Sequence, residues 1–185
     1  MSRNVFQGMR VVGIEDGSFR KGITNRALLA AVLLKKLEIE GVKFAEITVD
    51  GLDATNKAVE ILREWNFDAV MLAGVSFAGF NVINPTVLHE KFQKPVVVVS
   101  RTKPDNRAVK RALIQHFTDW KIRWDVFEKL GAIHRVHVTA GEPPLYVETV
   151  GKDIKWAAFL IKSLVTCSRV PEPIRVAKLI ARGLS

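Results

Sequence analysis

Hydrophobic and polar positions along this chain fall into runs that predict alternating strands and helices. Arg10 to Glu15 (RVVGIE) is apolar and ends on Asp16-Gly17-Ser18, a turn signal, so it predicts a first strand. The next apolar stretch, Arg26 to Leu37, fits helix or strand by periodicity alone. Its Leu and Ala content favours helix. The alternating run Lys43 to Val49 follows, however, and two such runs flanking a short Ile-Glu-Gly link form a hairpin, so Ala27 to Lys36 is predicted as a long strand. Asp50-Gly51-Leu52-Asp53 is a turn whose second aspartate can cap a helix over Ala54–Trp65, where Ala58, Ile61, Leu62 and Trp65 recur at helical spacing. Asp68 to Ala73 is the continuous apolar run of a strand buried on both faces. A Gly-rich loop, Gly74 to Asn84, a short helix, Pro85 to Phe92, and a four-valine strand, Val96 to Val99, come next. Helices are predicted over Asp105–Phe117, with Asp105 as cap, and over Asp119–Leu130, closed by Gly131. A strand at Ile133–Val138 and helices at Lys152–Val165 and Ile174–Arg182 complete the chain.

Three meandering strands followed by β-α-β-α-β units imply an α/β protein with a mixed sheet: three antiparallel strands, then parallel ones, with helices on both faces. That is the connectivity of RNase H-like folds. A doubly wound nucleotide-binding fold would begin βαβ, and no GxGxxG follows the first strand. At 185 residues, with 48% hydrophobic and 25% charged positions and no internal repeat or linker, residues 1–185 are expected to form one domain. A single cysteine, Cys167, excludes a disulfide framework and a multi-cysteine zinc site. The run Ala27–Leu34 is far short of the ~20 residues a membrane-spanning helix needs, and MSRNVFQGMR has no apolar signal region. A soluble, cytoplasmic protein is expected.

Charge narrows the partners. Twenty-eight Lys and Arg against 19 Asp and Glu give a net charge of +9, which attracts nucleic acid or anionic lipid without establishing either. The acidic pair Glu15-Asp16 ends the first strand, and a strand-end carboxylate there is a candidate Mg²⁺ ligand. Because a strand alternates faces, only one of the two can point into a site. Asp16 is also a good turn residue. Asp50 and Asp53 end the third strand, which this topology is expected to place beside the first, bringing a second carboxylate near Asp16. Asp53 is equally well explained as a helix cap. In the loop after the first parallel strand, Ser76 and Asn81 are candidates for phosphate contact and Phe77 and Phe80 for base stacking, or the phenylalanines simply close the core. Ser100-Arg101-Thr102-Lys103 brings two fixed cations to the rim where open α/β sheets bind ligands. Nucleophilic catalysis has little support: Cys167 has no neighbouring histidine, Ser76 lacks a GxSxG elbow, and His89, His116, His134 and His137 are scattered.

Five segments together resemble an archaeal family of UPF0215 type, domain of unknown function ninety-nine. They are Gly13-Ile14-Glu15-Asp16-Gly17, Val49 to Thr55, Ala78-Gly79-Phe80-Asn81, Val99 to Asp105, and Pro171 to Ala177. That family looks like a relative of endonuclease V, which cleaves DNA or RNA beside deaminated bases using Mg²⁺ on an RNase H-like fold. The resemblance implies that Asp16 matches the aspartate ending the first strand. The second aspartate, at the end of the first parallel strand, is replaced by Ala73. The active-site glutamate has no counterpart after Gly51, leaving Asp50 or Asp53 as substitutes, and the Gly-His pair reads Gly151-Lys152. Arg101 or Lys103 matches the basic residue after the second parallel strand, and the Pro-Glu-Pro-x-Arg segment opens a structural helix.

Three functional readings follow. The first is a nucleic-acid-binding protein with an eroded nuclease site, using Ser76, Phe80, Asn81, Arg101, Lys103 and Lys152, with Mg²⁺ bound weakly or not at all. The second is a Mg²⁺-dependent endonuclease built on Asp16 with Asp50 or Asp53. The third is an interaction module that keeps only the fold.

Overall fold

The computed structural model describes residues 6, 8–20 and 22–185. Among these residues nine strands and six helices follow in chain order. The first three strands are β1 (Arg10–Asp16), β2 (Arg26–Lys35) and β3 (Glu38–Thr48). Then come α1 (Ala54–Leu62), β4 (Ala69–Leu72), β5 (Ser76–Phe77), β6 (Asn81–Val82), α2 (Pro85–Phe92) and β7 (Val96–Ser100). The chain closes with α3 (Asn106–His116), α4 (Trp120–Lys129), β8 (His134–Val136), β9 (Leu145–Val150), α5 (Ile154–Ser163) and α6 (Glu172–Gly183).

Seven strands form one mixed sheet in the order β3-β2-β1-β4-β7-β9-β8. β1, β4 and β7 run parallel at its centre, and the other pairings are antiparallel. β3 therefore pairs with β2 and is separated from β1 by it, so the expected neighbouring of the first and third strands does not occur. The hairpin also turns earlier than an Ile-Glu-Gly link would have it. Lys36 and Leu37 both take positive φ (49° and 69°), the two-residue turn whose twist matches the strands, and Ile39 to Gly41 are already strand.

β9 is a strand absent from the sequence expectation. Leu145 and Val147 face one core while Val150 packs against the other, a period-2 pattern after Pro143-Pro144 that is a usable signal. The Gly-rich loop likewise contains the small hairpin β5–β6 with its tip at Ala78-Gly79-Phe80.

Apolar side chains leave the sheet on both faces. On one, Val12, Ile14, Val70, Leu72, Val96 and Val98 pack against α1, α2 and α4. On the other, Val11, Met71, Val97, Val99 and Val147 pack against α5 and the start of α6. The approach of α6 depends on Gly13: a Cβ there would lie 2.1 Å from the backbone carbon and oxygen of Pro173. Only hydrogen fits, and α6 is thereby laid directly across β1. Among the described residues no helix is long and apolar enough to cross a membrane.

Candidate active-site cleft

Parallel strands end together at their carboxyl edge, and there the α6 side of the sheet opens into a cleft of about 720 Å³. Residue parity decides which side chains enter it. Along β1, Val11 faces α5 and α6 and Val12 and Ile14 face the opposite core, so Gly13 and Glu15 share the α6 side. Glu15 thus lines the cleft, with Ala73 beside it, since the register Ile14↔Leu72 continues one residue further. Of the acidic pair, Glu15 and not Asp16 enters the cleft.

The Glu15 carboxylate meets Lys178 of α6 at 3.4 Å. Burial pushes its pKa up from 4.5 to about 7, Asp16 next to it adds to the rise, and Lys178 and Arg182 oppose it. Arg101, Arg169 and Arg175 line the same cleft, with Glu142 at its mouth. Arg175 is held by a bidentate pair with Glu172 (both distances 2.7 Å), and Glu172 falls below the usual carboxylate range chiefly through that pairing. Arg169 donates to the carbonyls of Pro143, Pro144 and Arg101, so it fixes the wall rather than pairing with a carboxylate. Arg101 is exposed at the rim.

Asp16 points to the other face, where its Oδ2 accepts the Ala78 N–H. Its pKa is raised by burial, with the Ala78 hydrogen bond working against the rise. Asp50 grips the same loop: its N–H donates to the Ala78 carbonyl at 2.8 Å, and its Oδ1 accepts from Phe80 at 2.8 Å. Asp16 and Asp50 are thus joined through Ala78, not by strand pairing. Asp50 and Ala78 both sit at positive φ (56° and 43°), and a Cβ on Gly79 would lie 2.2 Å from Asp50 Oδ1. Such strain persists only where surrounding interactions over-determine it.

Asp53 does not cap α1 with its side chain. It accepts from the Thr48 N–H and hydroxyl and from Asn81 Nδ2, and Asn81 Oδ1 supplies the bond to the Ala54 N–H. Asn81 is fully buried with its amide committed to Ala54, Thr48 and Asp53, so it is a structural strut and not a phosphate ligand. Phe77 is buried in the core, and Phe80 packs edge-to-face on Phe117 with centroids 5.6 Å apart. Ser76 is half-buried in β5. Arg123, only 4% exposed, closes this region by pairing with Asp119 and donating to the carbonyls of Gly51 and Phe80. Nothing in the local sequence signals that burial.

Lys103 does not line the cleft; it lines a separate depression with Pro104, Asp105, Asn106 and Arg107. Lys152 is also outside the cleft. It follows β9, whose Val150 pairs with Val96 at the amino end of β7, so Lys152 sits at the opposite edge of the sheet. The additional strand β9 reverses the chain there and removes Lys152 from the cleft.

Asp16, Asp50 and Asp53 face the clasped loop instead of one another's free oxygens. Among the described residues no group of three or more His, Cys, Asp or Glu side chains is placed to hold a metal ion. The cleft offers Glu15 already paired with a lysine, and Ala73 where a second carboxylate would stand. This donor set does not fit a two-ion Mg²⁺ site.

The sheet order and crossovers define an RNase H-like fold of the endonuclease V type. A Ciona intestinalis endonuclease V, solved with a 24mer DNA containing an inosine followed by a ribo-adenosine, superposes with a TM-score of 0.62 at 13% identity, over 95% of this chain and 85% of that one. The chain itself belongs to the family described as Endonuclease dU, whose model matches residues 7–185. A UPF0215 protein of Methanothermobacter thermautotrophicus is 37% identical over 188 residues, covering 99% of this chain and 91% of that protein. A crystal structure of a protein of unknown function from Archaeoglobus fulgidus has a TM-score of 0.85 at 29% identity, over 95% of this chain and 98% of its own.

Proposed function

We propose that this protein is an endonuclease that draws a deaminated DNA strand across the Glu15 cleft and hydrolyses a phosphodiester bond there. The observation that carries the reading is a buried carboxyl poised near neutrality at the ends of the central parallel strands, with Arg101, Arg175 and Lys178 in the same cleft. Such a group exchanges its proton in both directions at neutral pH. As carboxylate, Glu15 takes a proton from water while the water oxygen bonds to phosphorus. The phosphorus–oxygen bond to the sugar breaks, the departing oxygen takes a proton from solvent water, and Glu15 returns its own proton to solvent to regain the carboxylate. The cations balance charge developing on the phosphoryl oxygens. No step is routed through a metal, because the donor set does not fit one. The family description points to deoxyuridine as the deaminated base, and the inosine-containing DNA of the Ciona structure is of the same deaminated class.

Ala73 beside Glu15 favours a second reading, strand binding without cleavage on an eroded site. One experiment separates the two. Single strands of one sequence, with and without a deoxyuridine, are incubated with wild type, Glu15→Gln and Asp16→Asn, in Mg²⁺ and in chelator. Cleavage at deoxyuridine that drops by at least about 100-fold in Glu15→Gln is expected, the scale of losing a general acid–base. Cleavage that follows Asp16 instead of Glu15 overturns the assignment. Binding without cleavage establishes the second reading. In either case Arg101→Ala and Lys103→Ala should each flatten the log–log salt dependence of single-strand binding by roughly 0.7, the slope carried by one neutralised phosphate.

A further inference from the structure

Beyond the cleft, we infer that the helix pair α3–α4 is a platform for the unpaired flank of the bound strand; this rests on the proposed strand path through the Glu15 cleft. α3 carries Arg107, Lys110 and Arg111 at i, i+3 and i+4, which puts all three on one face about 6 Å long. Its sequence, NRAVKRALIQH, contains no acidic residue. None of the three cations has a carboxylate partner among the described residues.

Aromatic surface lies alongside. Lys110 Nζ is 4.7 Å from the centroid of the half-exposed Trp124 ring on α4, and Trp124 stacks on Phe127 at 5.9 Å with 14° between planes. Placement ties this surface to the sheet edge where the cleft opens. α3 begins six residues after Ser100, and Phe117, just past its end, packs on Phe80 beyond β4. α4 sends Val126 into the core on the Asp16 face, so the helix pair reaches the carboxyl edge of the sheet from the side opposite the cleft. Lys103 and Arg107 share a depression at the start of the helix with Pro104, Asp105 and Asn106, so Arg101, Lys103, Arg107 and Arg111 follow one another along the chain with one carboxylate among them, Asp105, which accepts the Ala108 N–H.

Unneutralised cations one helical turn apart, beside an aromatic face, match a single nucleic-acid strand: phosphates on the cations and an unpaired base on the ring. A duplex would keep its bases from Trp124. A membrane would need a continuous apolar stripe, and the large apolar side chains exposed on the pair are Ile114 on α3 and Ile122 on α4.

The test measures fluorescence anisotropy of the full chain with oligothymidylates of 6 and 15 nucleotides across a salt series. Wild type should bind the 15-mer more tightly than the 6-mer. Trp124→Ala should weaken 15-mer binding between about fivefold and a hundredfold, the scale of removing one base stack, and Trp124→Phe should restore most of it. Arg107→Ala with Arg111→Ala should flatten the 15-mer salt slope by roughly 1.4, and this surface pair keeps the test decisive if Trp124→Ala fails to fold. No gain with length in wild type, or a gain that survives in every variant, overturns the platform. So does equal binding to phosphatidylserine vesicles without any length dependence, which would mark a lipid surface. A length dependence that disappears while deoxyuridine cleavage persists locates the defect on the platform. Cleavage intact in Glu15→Gln refutes the cleft assignment and leaves the platform standing.

Discussion

Replacing Glu15 by glutamine should make the protein more tolerant of alkaline conditions. The folded-state pKa of about 7 lies above the ordinary 4.5 because burial penalises the charge more than Lys178 and Arg182 favour it. Between those two pH values the folded chain therefore holds a proton that the unfolded chain has released. Stability falls as pH rises through that window, and the decline is complete above the folded value. A displacement of this size corresponds to about 3 kcal/mol in full, of which about 2.5 kcal/mol falls between pH 5 and pH 8.5. Glutamine has no such proton. Urea unfolding of both proteins at the two pH values should show wild type losing about 2.5 kcal/mol relative to Glu15→Gln on going to the higher pH. Asp16 and Glu148, whose pKa values burial also raises, titrate in both proteins and largely cancel in the difference. Separating Lys178 from its carboxylate offsets the two curves without changing their relative slope. Curves that remain parallel within about 0.5 kcal/mol would falsify the claim that Glu15 is held near neutrality by burial in the cleft.

Three further outcomes are expected. Gly13→Ala forces a methyl into the Pro173 backbone and should cost about 3 kcal/mol, read as a drop in Tm of roughly 6–12 °C; an unchanged Tm would mean α6 is not seated on β1. Asn81→Ala strands the buried Ala54 N–H, while the Thr48 carbonyl keeps the Gly51 N–H, and should cost about 1–3 kcal/mol in urea unfolding; a loss below about 0.5 kcal/mol would return Asn81 to the surface as a candidate phosphate ligand. Ala73→Asp sets a second carboxylate beside Glu15, and calorimetric titration with Mn²⁺ should show tighter binding than in wild type. Equal affinities would show that any divalent ion binds elsewhere.

The central architecture is readable from residues because it is written in composition. Val96–Val99 and Ala69–Leu72 are apolar without interruption, and only strands buried on both faces tolerate that. The five motifs and the β-meander are likewise legible. β9 escapes such a reading although its alternation is visible, and without it Lys152 falls on the wrong edge of the sheet, since an antiparallel strand carries its successor to the far side.

Local pattern was enough to define the main strands and the acidic pair ending the first of them. Which member of that pair enters the cleft is a matter of packing. An amphipathic strand announces its inner face by alternation, whereas β1 is buried on both sides from Val11 to Glu15 and offers no polar face to count from. The choice fell to Gly13, where α6 approaches closely enough to exclude a Cβ, and that approach set Glu15 under Lys178 and turned Asp16 to Ala78. Asn81, Arg123 and the Lys110–Trp124 pair have the same origin. Each joins segments separated along the chain, and its role exists only once folding has brought them together.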